Sequence, residues 1–443
     1  MNTRIIERIK LTNFKGFEEL EQELYDVTVI IGNNTTGKTS ILNALQVALG
    51  AILQCIPSLP SKAAYKRQFQ ENERFTYFDS LKKDYYYKDE NTKGWVEGNF
   101  PKTLHTKNEY KLAANHLTWW REYTGASTTH NRRCVGLLMK AVEETISQKN
   151  SEDSNAILPL LLSFGTNRLA SQVKNNKKTK ERMPRIEKAY NEALHDKVDF
   201  AGAYEWFRRY DKNLKDGKEF EGTKEAFVKA LTQAIPFLSE IDMDIDELEA
   251  VITVENEPPV RHRFSQMSDG FKSMINVVSE IAHRCIELNG FLGMESIQNT
   301  PGIVLIDEID LYLHPKWQYR VLEDLKKAFP LIQFVVTTHS PFIVQSTPHP
   351  GLISLDRETQ TDGDPRMESL EETAIKRMNM LVARSKRYNK MREMAEKYYS
   401  LVLQSREDES ESKRIKQELD SIEAEFSDDP AYVALLRAER KSR

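Results

Sequence analysis

The residues with the clearest chemical meaning lie at positions 32–39, where GNNTTGKT matches the pattern GxxxxGK[ST] in full. An apolar run at 25–31 precedes the pattern and a helical pattern follows it, which is the strand-loop-helix context that this motif requires. The glycines let backbone N–H groups curl around phosphate oxygens, the lysine reaches the terminal phosphates, and the threonine hydroxyl ligates Mg²⁺. The predicted phosphate-binding residues are Gly32, Asn33, Asn34, Thr35, Thr36, Gly37, Lys38, Thr39 and Ser40.

Two adjacent carboxylates, Asp307 and Glu308, follow the apolar run IVLI at 303–306. A buried strand of this kind delivers the next residues to the carboxyl edge of a parallel sheet, where nucleotides bind. Asp307 is predicted to hold Mg²⁺ and Glu308 to polarise the attacking water, since phosphoryl transfer mainly requires positioning and charge neutralisation. A hydrophobic run that ends in Asp-Glu is common by itself, so this prediction depends on the phosphate loop upstream.

Two further motifs have a structural as well as a chemical interpretation. His339 follows the apolar run FVVTT at 334–338 and is predicted to sense the γ-phosphate from a neighbouring strand, although a histidine after a strand often has a structural role. Ser268, Asp269 and Gly270 open a long helical pattern, and a Ser-Asp-Gly turn is also a good helix N-cap. The order of the motifs decides between these interpretations.

Phosphate loop, Ser-Asp-Gly helix, Asp-Glu strand and histidine strand follow one another in an order that resembles the ABC-type ATPase heads of the structural-maintenance-of-chromosomes and RecF class. The resemblance implies an α/β P-loop NTPase fold with ATP and Mg²⁺ held between two head-to-tail subunits. The Ser-Asp-Gly signature of one subunit would then act in trans on the γ-phosphate bound by the other. Such heads also carry a coupling glutamine after a middle strand, and the string SFGTNR at 163–168 does not identify it.

Shorter strings resemble a narrower group, the PtuA family of ATPases from the Septu anti-phage defence system. They are NFKGF at 13–17, LPLLLSFGTNR at 158–168, DEIDLYLHPKWQ at 307–318 and DDPAYVALL at 428–436. The resemblance implies an ATP-hydrolysing regulatory subunit that forms a homodimer, or a larger assembly of such dimers, and controls a PtuB-like HNH nuclease. The span between the phosphate loop and the signature has no sustained heptads, so a long coiled-coil arm is not expected.

Two other function classes use the same head motifs. A nuclease of the overcoming-lysogenization-defect type needs a Toprim domain with an early glutamate and a later Asp-x-Asp, and Asp362-Gly-Asp364 lies in a polar linker without such a glutamate strand. The chain also lacks an HNH-like His-Asn-His constellation, so any nuclease activity is expected from a partner. The second alternative is a DNA-repair or recombination ATPase that clamps DNA without a nuclease.

The composition changes along the chain in a way that predicts four segments. The ATPase head comprises an N-terminal part at 1–170 and a C-terminal part at 250–360, which holds the signature, the Asp-Glu strand and the histidine. Residues 171–249 are predicted as a helical insertion and residues 361–443 as a helical tail that docks a partner. Strands alternating with helices favour an α/β core with helical additions.

Composition limits the remaining possibilities. The 443 residues include 63 basic and 67 acidic side chains, and the formal charge of −4 does not indicate a globally cationic nucleic-acid binder. No apolar run approaches the ~18 residues of a membrane span, and no signal-peptide core opens the chain. Three cysteines far apart favour neither a disulfide framework nor a zinc site. A cytoplasmic protein without membrane association is therefore expected.

Local patches are the candidates for contact with DNA. Residues 174–188 contain seven basic residues and residues 376–397 contain eight, although each stretch is equally well explained as a solvated helix face. The tyrosines at 85–87 and the tryptophans at 119–120 could stack on bases, but packing in the core or within strands is the favoured interpretation.

Overall fold

A computed structural model of the protein describes residues 4–88, 91–106, 109–125, 127–128, 132–149, 156–169, 183–195, 200–243, 247–253, 258–356, 363–380, 393–394, 397–398, 400–401 and 410–423. The chain divides into two compact units, Met1–Met378 and Asn379–Arg443. The first unit contains all four sequence motifs.

Strands and helices alternate along much of the chain. The strands are, in chain order, β1 (Ile6–Phe14), β2 (Phe17–Glu23), β3 (Val27–Ile31), β4 (Thr76–Asp79), β5 (Asp84–Tyr87), β6 (Thr92–Thr106), β7 (Glu109–Tyr123), β8 (Leu160–Phe164), β9 (Leu238–Met243), β10 (Leu248–Ile252), β11 (Val260–Arg263), β12 (Gly302–Ile306), β13 (Ile332–Thr337) and β14 (Leu352–Ser354). The α-helices of the described residues are α1 (Lys38–Cys55), α2 (Arg132–Lys149), α3 (Arg185–Tyr190), α4 (Ala201–Lys215), α5 (Thr223–Ala234), α6 (Asp269–Asn289), α7 (Pro315–Gln318), α8 (Val321–Ala328), α9 (Pro341–Ser346), α10 (Leu370–Lys376) and α11 (Ser410–Glu423).

A five-stranded parallel sheet in the order β14-β3-β13-β12-β8 forms the centre of the first unit. Every residue of β3, β8, β12 and β13 is buried, as expected for strands that are covered on both faces. Because the strands are parallel, their carboxyl ends meet at one edge of the sheet. That edge brings together the phosphate loop after β3, the SFGTNR string after β8, the Asp-Glu pair after β12 and the histidine after β13.

The helix α1, which follows the phosphate loop, joins this sheet to a second one. β2, β1, β6 and β7 form an antiparallel sheet in that order, and α1 contacts β13 of the parallel sheet as well as β6 and β7. The contact includes Trp119, which is fully buried and donates an indole hydrogen bond of 3.0 Å to the Ala48 carbonyl. The expectation that this tryptophan packs in the core is confirmed.

The other elements of the first unit pack against α6 or form two small sheets. The helix α6, which begins at the Ser-Asp-Gly motif, packs against β8 and against α3, α4 and α5. β9, β10 and β11 form a three-stranded antiparallel sheet. β4 and β5 form a hairpin that pairs with none of the other described strands.

The α/β fold expected from the motifs is confirmed, and its central elements lie close to their predicted positions. The apolar run at 303–306 forms β12, and the helical pattern that opens at the Ser-Asp-Gly motif is α6. The predicted helical insertion at 171–249 contains the helices α3, α4 and α5, but it also contains β9 and part of β10, and β10 crosses the proposed boundary at 249 to pair with β11. These strands are only six and five residues long and lack a regular alternation of buried and exposed residues, so that the helical composition of the whole segment did not indicate them.

Several expectations fall partly on residues outside the described ranges. They are most of the predicted helical tail at 361–443, the basic stretch at 174–182 and most of the one at 376–397. None of the described helices is long and apolar enough to cross a membrane. The three cysteines are all buried and no disulfide joins them.

Candidate functional site

The loop at 32–39 connects the buried strand β3 to the helix α1, and two glycines determine its shape. Gly37 precedes the first residue of α1 with a left-handed φ of 100°, and a Cβ there would lie 2.5 Å from the Phe17 ring. Gly32 has a φ of 152°, and a Cβ there would lie 2.5 Å from the Thr36 hydroxyl. Side chains are therefore unfavourable at both positions, and the N-terminus of α1 remains a natural site for an anion.

Lys38 is buried within this loop. Its Nζ donates hydrogen bonds of 2.6 Å to the Gly32 carbonyl and of 3.0 Å to the Asn33 carbonyl. Burial lowers the pKa of Lys38, while the nearby carboxylates of Asp356 and Asp307 act in the opposite direction. The loop is also tied at its start, because both carboxylate oxygens of Asp356 accept from the Asn33 backbone N–H at 3.1 Å. The loop thus holds an ammonium group among backbone groups that suit phosphate binding.

Thr39 and Asp307 join the phosphate loop to the end of β12. The Thr39 hydroxyl donates a hydrogen bond of 2.9 Å to Oδ2 of Asp307, and the Thr337 hydroxyl donates one of 2.5 Å to Oδ1. Hydroxyls from α1 and β13 therefore orient the carboxylate. A hydroxyl and a carboxylate oxygen are the hard donors that Mg²⁺ prefers, and this ion is usually held by one or two protein groups together with substrate phosphates. The predicted metal pair fits that ion.

Glu308 is held by its backbone. Its φ of 49° lies in the left-handed region, which is unfavourable for a residue other than glycine. Its N–H donates a hydrogen bond of 2.8 Å to the Thr337 hydroxyl, and its carbonyl accepts one of 2.5 Å from Nη2 of Arg168. Two hydrogen bonds thus support the strained conformation. They fix the backbone of Glu308, and with it the position of its Cα beside Asp307.

Arg168 is a residue whose position in the site the sequence did not reveal. Its guanidinium is buried, and burial lowers its pKa, while the carboxylates of Asp310, Asp307 and Glu308 favour its charged form. Its carbonyl accepts a hydrogen bond of 3.0 Å from Nδ2 of Asn276 in α6. Arg168 therefore connects the Asp-Glu segment to the helix that begins at the signature. The sequence signal for this role is the arginine that ends the string SFGTNR at 163–168. It was not identified because a glutamine was expected there.

His339 follows β13, between the strands that carry the phosphate loop and the Asp-Glu pair. Its side chain is exposed, and its backbone N–H donates a hydrogen bond of 3.4 Å to Oδ1 of Asp310. The same oxygen accepts a hydrogen bond of 2.6 Å from the Thr338 hydroxyl. Asp310 thus fixes the turn at which the histidine lies.

Within one chain, the signature makes no hydrogen bond with the described phosphate-loop residues. The hydrogen bonds of the described phosphate-loop residues go to Asp307, Asp356 and the loop itself, and none goes to the signature. Ser268 and Asp269 are exposed, and the Ser268 side chain makes no capping hydrogen bond although it occupies the N-cap of α6. Gly270 is buried, and a Cβ there would lie 2.6 Å from the Tyr312 carbonyl oxygen. The interpretation of this serine as a side-chain N-cap is therefore wrong.

Two family models match this chain. Residues 8–235 match a family model described as "AAA domain", and residues 144–345 match one described as "AAA domain, putative AbiEii toxin, Type IV TA system". The "Retron Vc95 probable ATPase" of Vibrio cholerae serotype O1 biovar El Tor is 24% identical over 76% of this chain and 71% of its own. The "Septu protein PtuA" of Bacillus mycoides (strain KBAB4) is 26% identical over 76% of this chain and 38% of its own.

A solved structure of an SMC head bound to the C-winged helix domain of ScpA is similar to 79% of this chain and 93% of its own, with 15% identity and a TM-score of 0.41.

Proposed function

This chain belongs to the AAA domain family, whose model matches more than half of its residues, and we propose that this ATPase hydrolyses ATP between two head-to-tail copies of itself. The observation that carries the proposal is the contact of 2.9 Å between the Thr39 hydroxyl and the Asp307 carboxylate. It sets the two proposed Mg²⁺ ligands side by side, although they are far apart in sequence.

Each residue of the proposed site has one task. Lys38 binds the β- and γ-phosphates, and Thr39 and Asp307 hold Mg²⁺. When bound, the metal neutralises charge on the phosphate oxygens. Glu308 orients the attacking water and accepts its proton, and His339 contacts the γ-phosphate from the neighbouring strand.

The proposed dimer rests on the exposed signature. Ser268 and Asp269 face solvent, and the Ser268 hydroxyl makes no capping hydrogen bond in its own helix. A hydroxyl at a helix N-terminus suits a phosphate oxygen, because the helix dipole favours negative charge there. We infer that this end of α6 completes the ATP site of a second copy of the chain.

The relatives support a role in anti-phage defence. The similar proteins named above are a Septu protein and a retron ATPase, and the Septu protein is the longer one, since this chain covers 38% of it. We propose that the chain is the regulatory ATPase of a cytoplasmic defence complex and controls a PtuB-like HNH nuclease. The nuclease would supply the DNA cleavage, and the residues described above would supply the response to ATP.

Two variants test the proposed ATP chemistry. Lys38→Ala should abolish ATP binding in isothermal titration calorimetry, because it removes the charge that meets the phosphates. Glu308→Gln should bind ATP as tightly as the unmutated chain and hydrolyse it at least about a hundredfold more slowly. Hydrolysis by Glu308→Gln at the unmutated rate would show that another residue orients the water.

Purification from the native host tests the proposed partner. Co-purification of an HNH protein in a fixed ratio supports the defence complex. Stoichiometric DNA without such a protein would contradict it and would support a DNA clamp instead. Metal-dependent plasmid cleavage by the purified chain alone would show that it is itself a nuclease.

A further inference from the structure

The hairpin of β4 and β5 is the most unusual surface among the described residues. Its two strands pair only with each other, with Phe78 opposite Tyr85 and Tyr77 opposite Tyr86. A two-stranded hairpin without a further strand or helix is only marginally stable in water. This hairpin nevertheless carries large aromatic side chains on both of its faces, since neighbouring residues of a strand point to opposite sides.

These aromatic rings are exposed. The exposed fractions are 53% for Phe78, 68% for Tyr85 and 47% for Tyr77, and Leu81 in the turn is 93% exposed. The expectation that the tyrosines at 85–87 pack in the core or within strands is confirmed in part, because they lie in β5 and the centre of the Tyr85 ring is 5.1 Å from that of Phe78 across the hairpin. Tyr85 and Tyr87 are nevertheless exposed rather than in the core, because β4 and β5 pair with no described strand of the three larger sheets.

Basic side chains accompany the rings. The guanidinium of Arg74 lies 4.5 Å from the centre of the Tyr87 ring, and the ammonium of Lys82 lies 4.9 Å from that of Tyr86. Residues 74–88 contain four basic and two acidic residues, whereas the whole chain is net negative. Lys88 forms an ion pair with Glu18, so that Arg74, Lys82 and Lys83 supply the positive charge beside the exposed rings.

We propose that this aromatic hairpin binds single-stranded nucleic acid by stacking bases on the exposed rings of Phe78, Tyr85 and Tyr77. Proteins that bind single strands use this combination of aromatic faces for the bases and cations for the backbone. The basic side chains complement a phosphate backbone, and the bases of a duplex are already stacked on each other. Both features favour a single strand as the occupant.

A short series of contacts connects the base of the hairpin to the phosphate loop. The Phe75 N–H donates a hydrogen bond of 3.0 Å to the Asn13 carbonyl, and the Lys15 N–H donates one of 2.8 Å to the Glu73 carbonyl. Phe17, two residues after Lys15, packs against Gly37 of the phosphate loop. A nucleic-acid strand bound to the hairpin would therefore act on residues 13–17, which contact the phosphate loop. This regulatory link rests on the proposed ATPase chemistry, whereas the binding itself does not.

Fluorescence anisotropy with a labelled oligothymidine tests the binding. The unmutated chain should bind the single strand more tightly than a duplex of the same length. Phe78→Ala and Tyr85→Ala should each weaken binding by at least about fivefold, as expected for the loss of one stacked base. Tyr319→Ala is the matched control, because Tyr319 is equally exposed at 54% but lies outside the hairpin, and it should leave binding unchanged.

Three results would overturn the proposal. They are absence of single-strand binding by the unmutated chain, equal binding by the hairpin variants, and preference for the duplex. Loss of a co-purifying protein from the hairpin variants, with unchanged oligothymidine binding, would assign the surface to a protein partner instead. Because the readout is binding without ATP, a failure here leaves the ATPase assignment untouched.

Discussion

Nη2 of Arg168 donates a hydrogen bond of 2.5 Å to the backbone carbonyl of Glu308, across 140 residues of sequence. The Arg168 carbonyl in turn accepts a hydrogen bond from Asn276, eight positions after Ser268 in the signature helix. One buried residue thus connects Glu308, proposed to orient water, with the helix proposed to complete a second copy's site. In the proposed dimer, this arrangement would connect each ATP site to the neighbouring one.

Replacing Arg168 should lower turnover without weakening nucleotide binding. Arg168→Gln is expected to reduce kcat by about tenfold or more and to leave KM for ATP within about twofold, because Glu308 loses a backbone support that matters for the reacting geometry. Arg168→Lys should recover part of the loss, since an ammonium can donate to the same carbonyl. Steady-state ATPase kinetics measure both constants.

The control for this prediction is Arg8→Ala. Arg8 forms surface ion pairs with Glu21 and Glu23 far from the site in the fold, and such exposed pairs contribute little. Its kinetic constants should equal those of the unmutated chain. A rise in KM with unchanged kcat in Arg168→Gln would contradict the positioning role.

Gly270→Ala tests the packing of the signature against the segment after the Asp-Glu pair. The added methyl would lie 2.6 Å from the Tyr312 carbonyl oxygen, which is backbone and cannot rotate away. We expect the start of α6 to shift and ATP-dependent dimerisation, measured by light scattering, to be lost. Gly16→Ala is the matched control, because a Cβ there meets no atom within 4 Å. Normal dimerisation by Gly270→Ala would remove Gly270 from the proposed interface.

Two serines at helix starts should behave differently. The Ser369 side chain accepts a hydrogen bond from the Glu372 N–H in a capping box, so Ser369→Ala should lower the free energy of unfolding by about 1 kcal/mol. Ser268 makes no such bond, and Ser268→Ala should change that free energy by less than about 0.5 kcal/mol while it reduces ATP turnover. Urea titrations and ATPase assays separate the two effects. A large loss of stability in Ser268→Ala would assign this serine a structural role.

The motifs predicted the centre of the fold because each lies in one contiguous stretch with a clear strand or helix beside it. The apolar run before Asp307 and the helical pattern after Gly270 could be identified from their own residues. The roles of Asp356 and Arg168 could not be identified in this way, because their partners are distant in sequence. Asp356 binds Asn33, 323 positions away, and Arg168 binds Glu308, 140 positions away. Asp356 belongs to a stretch that composition identifies only as a polar linker. The exposure of the hairpin could not be predicted either. Aromatic residues in a strand usually pack against a neighbouring element, and the sequence does not show that the hairpin lacks one.

Stability in acid should depend on Glu287, which joins α6 to α3. Burial would raise the pKa of Glu287, but the hydrogen bond from His283 and the charges of Lys188 and Arg185 hold it at about 2. Because this value lies below the ordinary one of 4.5, the carboxylate stabilises the fold above about pH 4.5, and this contribution is lost as the pH falls toward 2. The full effect is on the order of 3 kcal/mol.

Glu287→Gln should therefore be less stable at neutral pH and should show a flatter loss of stability on acidification. Urea unfolding at a series of pH values measures this slope. Glu323→Gln is the control, since Glu323 is exposed and pairs only with Lys327 on the surface. If the free energy of unfolding of Glu287→Gln fell with decreasing pH as steeply as that of the unmutated chain, this would contradict the proposed contribution of the buried carboxylate.

The central claim is that one ATP site is built from two copies of the chain, and mixing two inactive variants tests it most directly. Lys38→Ala destroys the phosphate loop of its own copy, and Ser268→Arg blocks the signature of its own copy. A mixed dimer then contains one complete site, made of the loop from the second variant and the signature from the first. We expect the mixture to hydrolyse ATP although neither variant does so alone. A mixture as inactive as its components would contradict a site shared between copies.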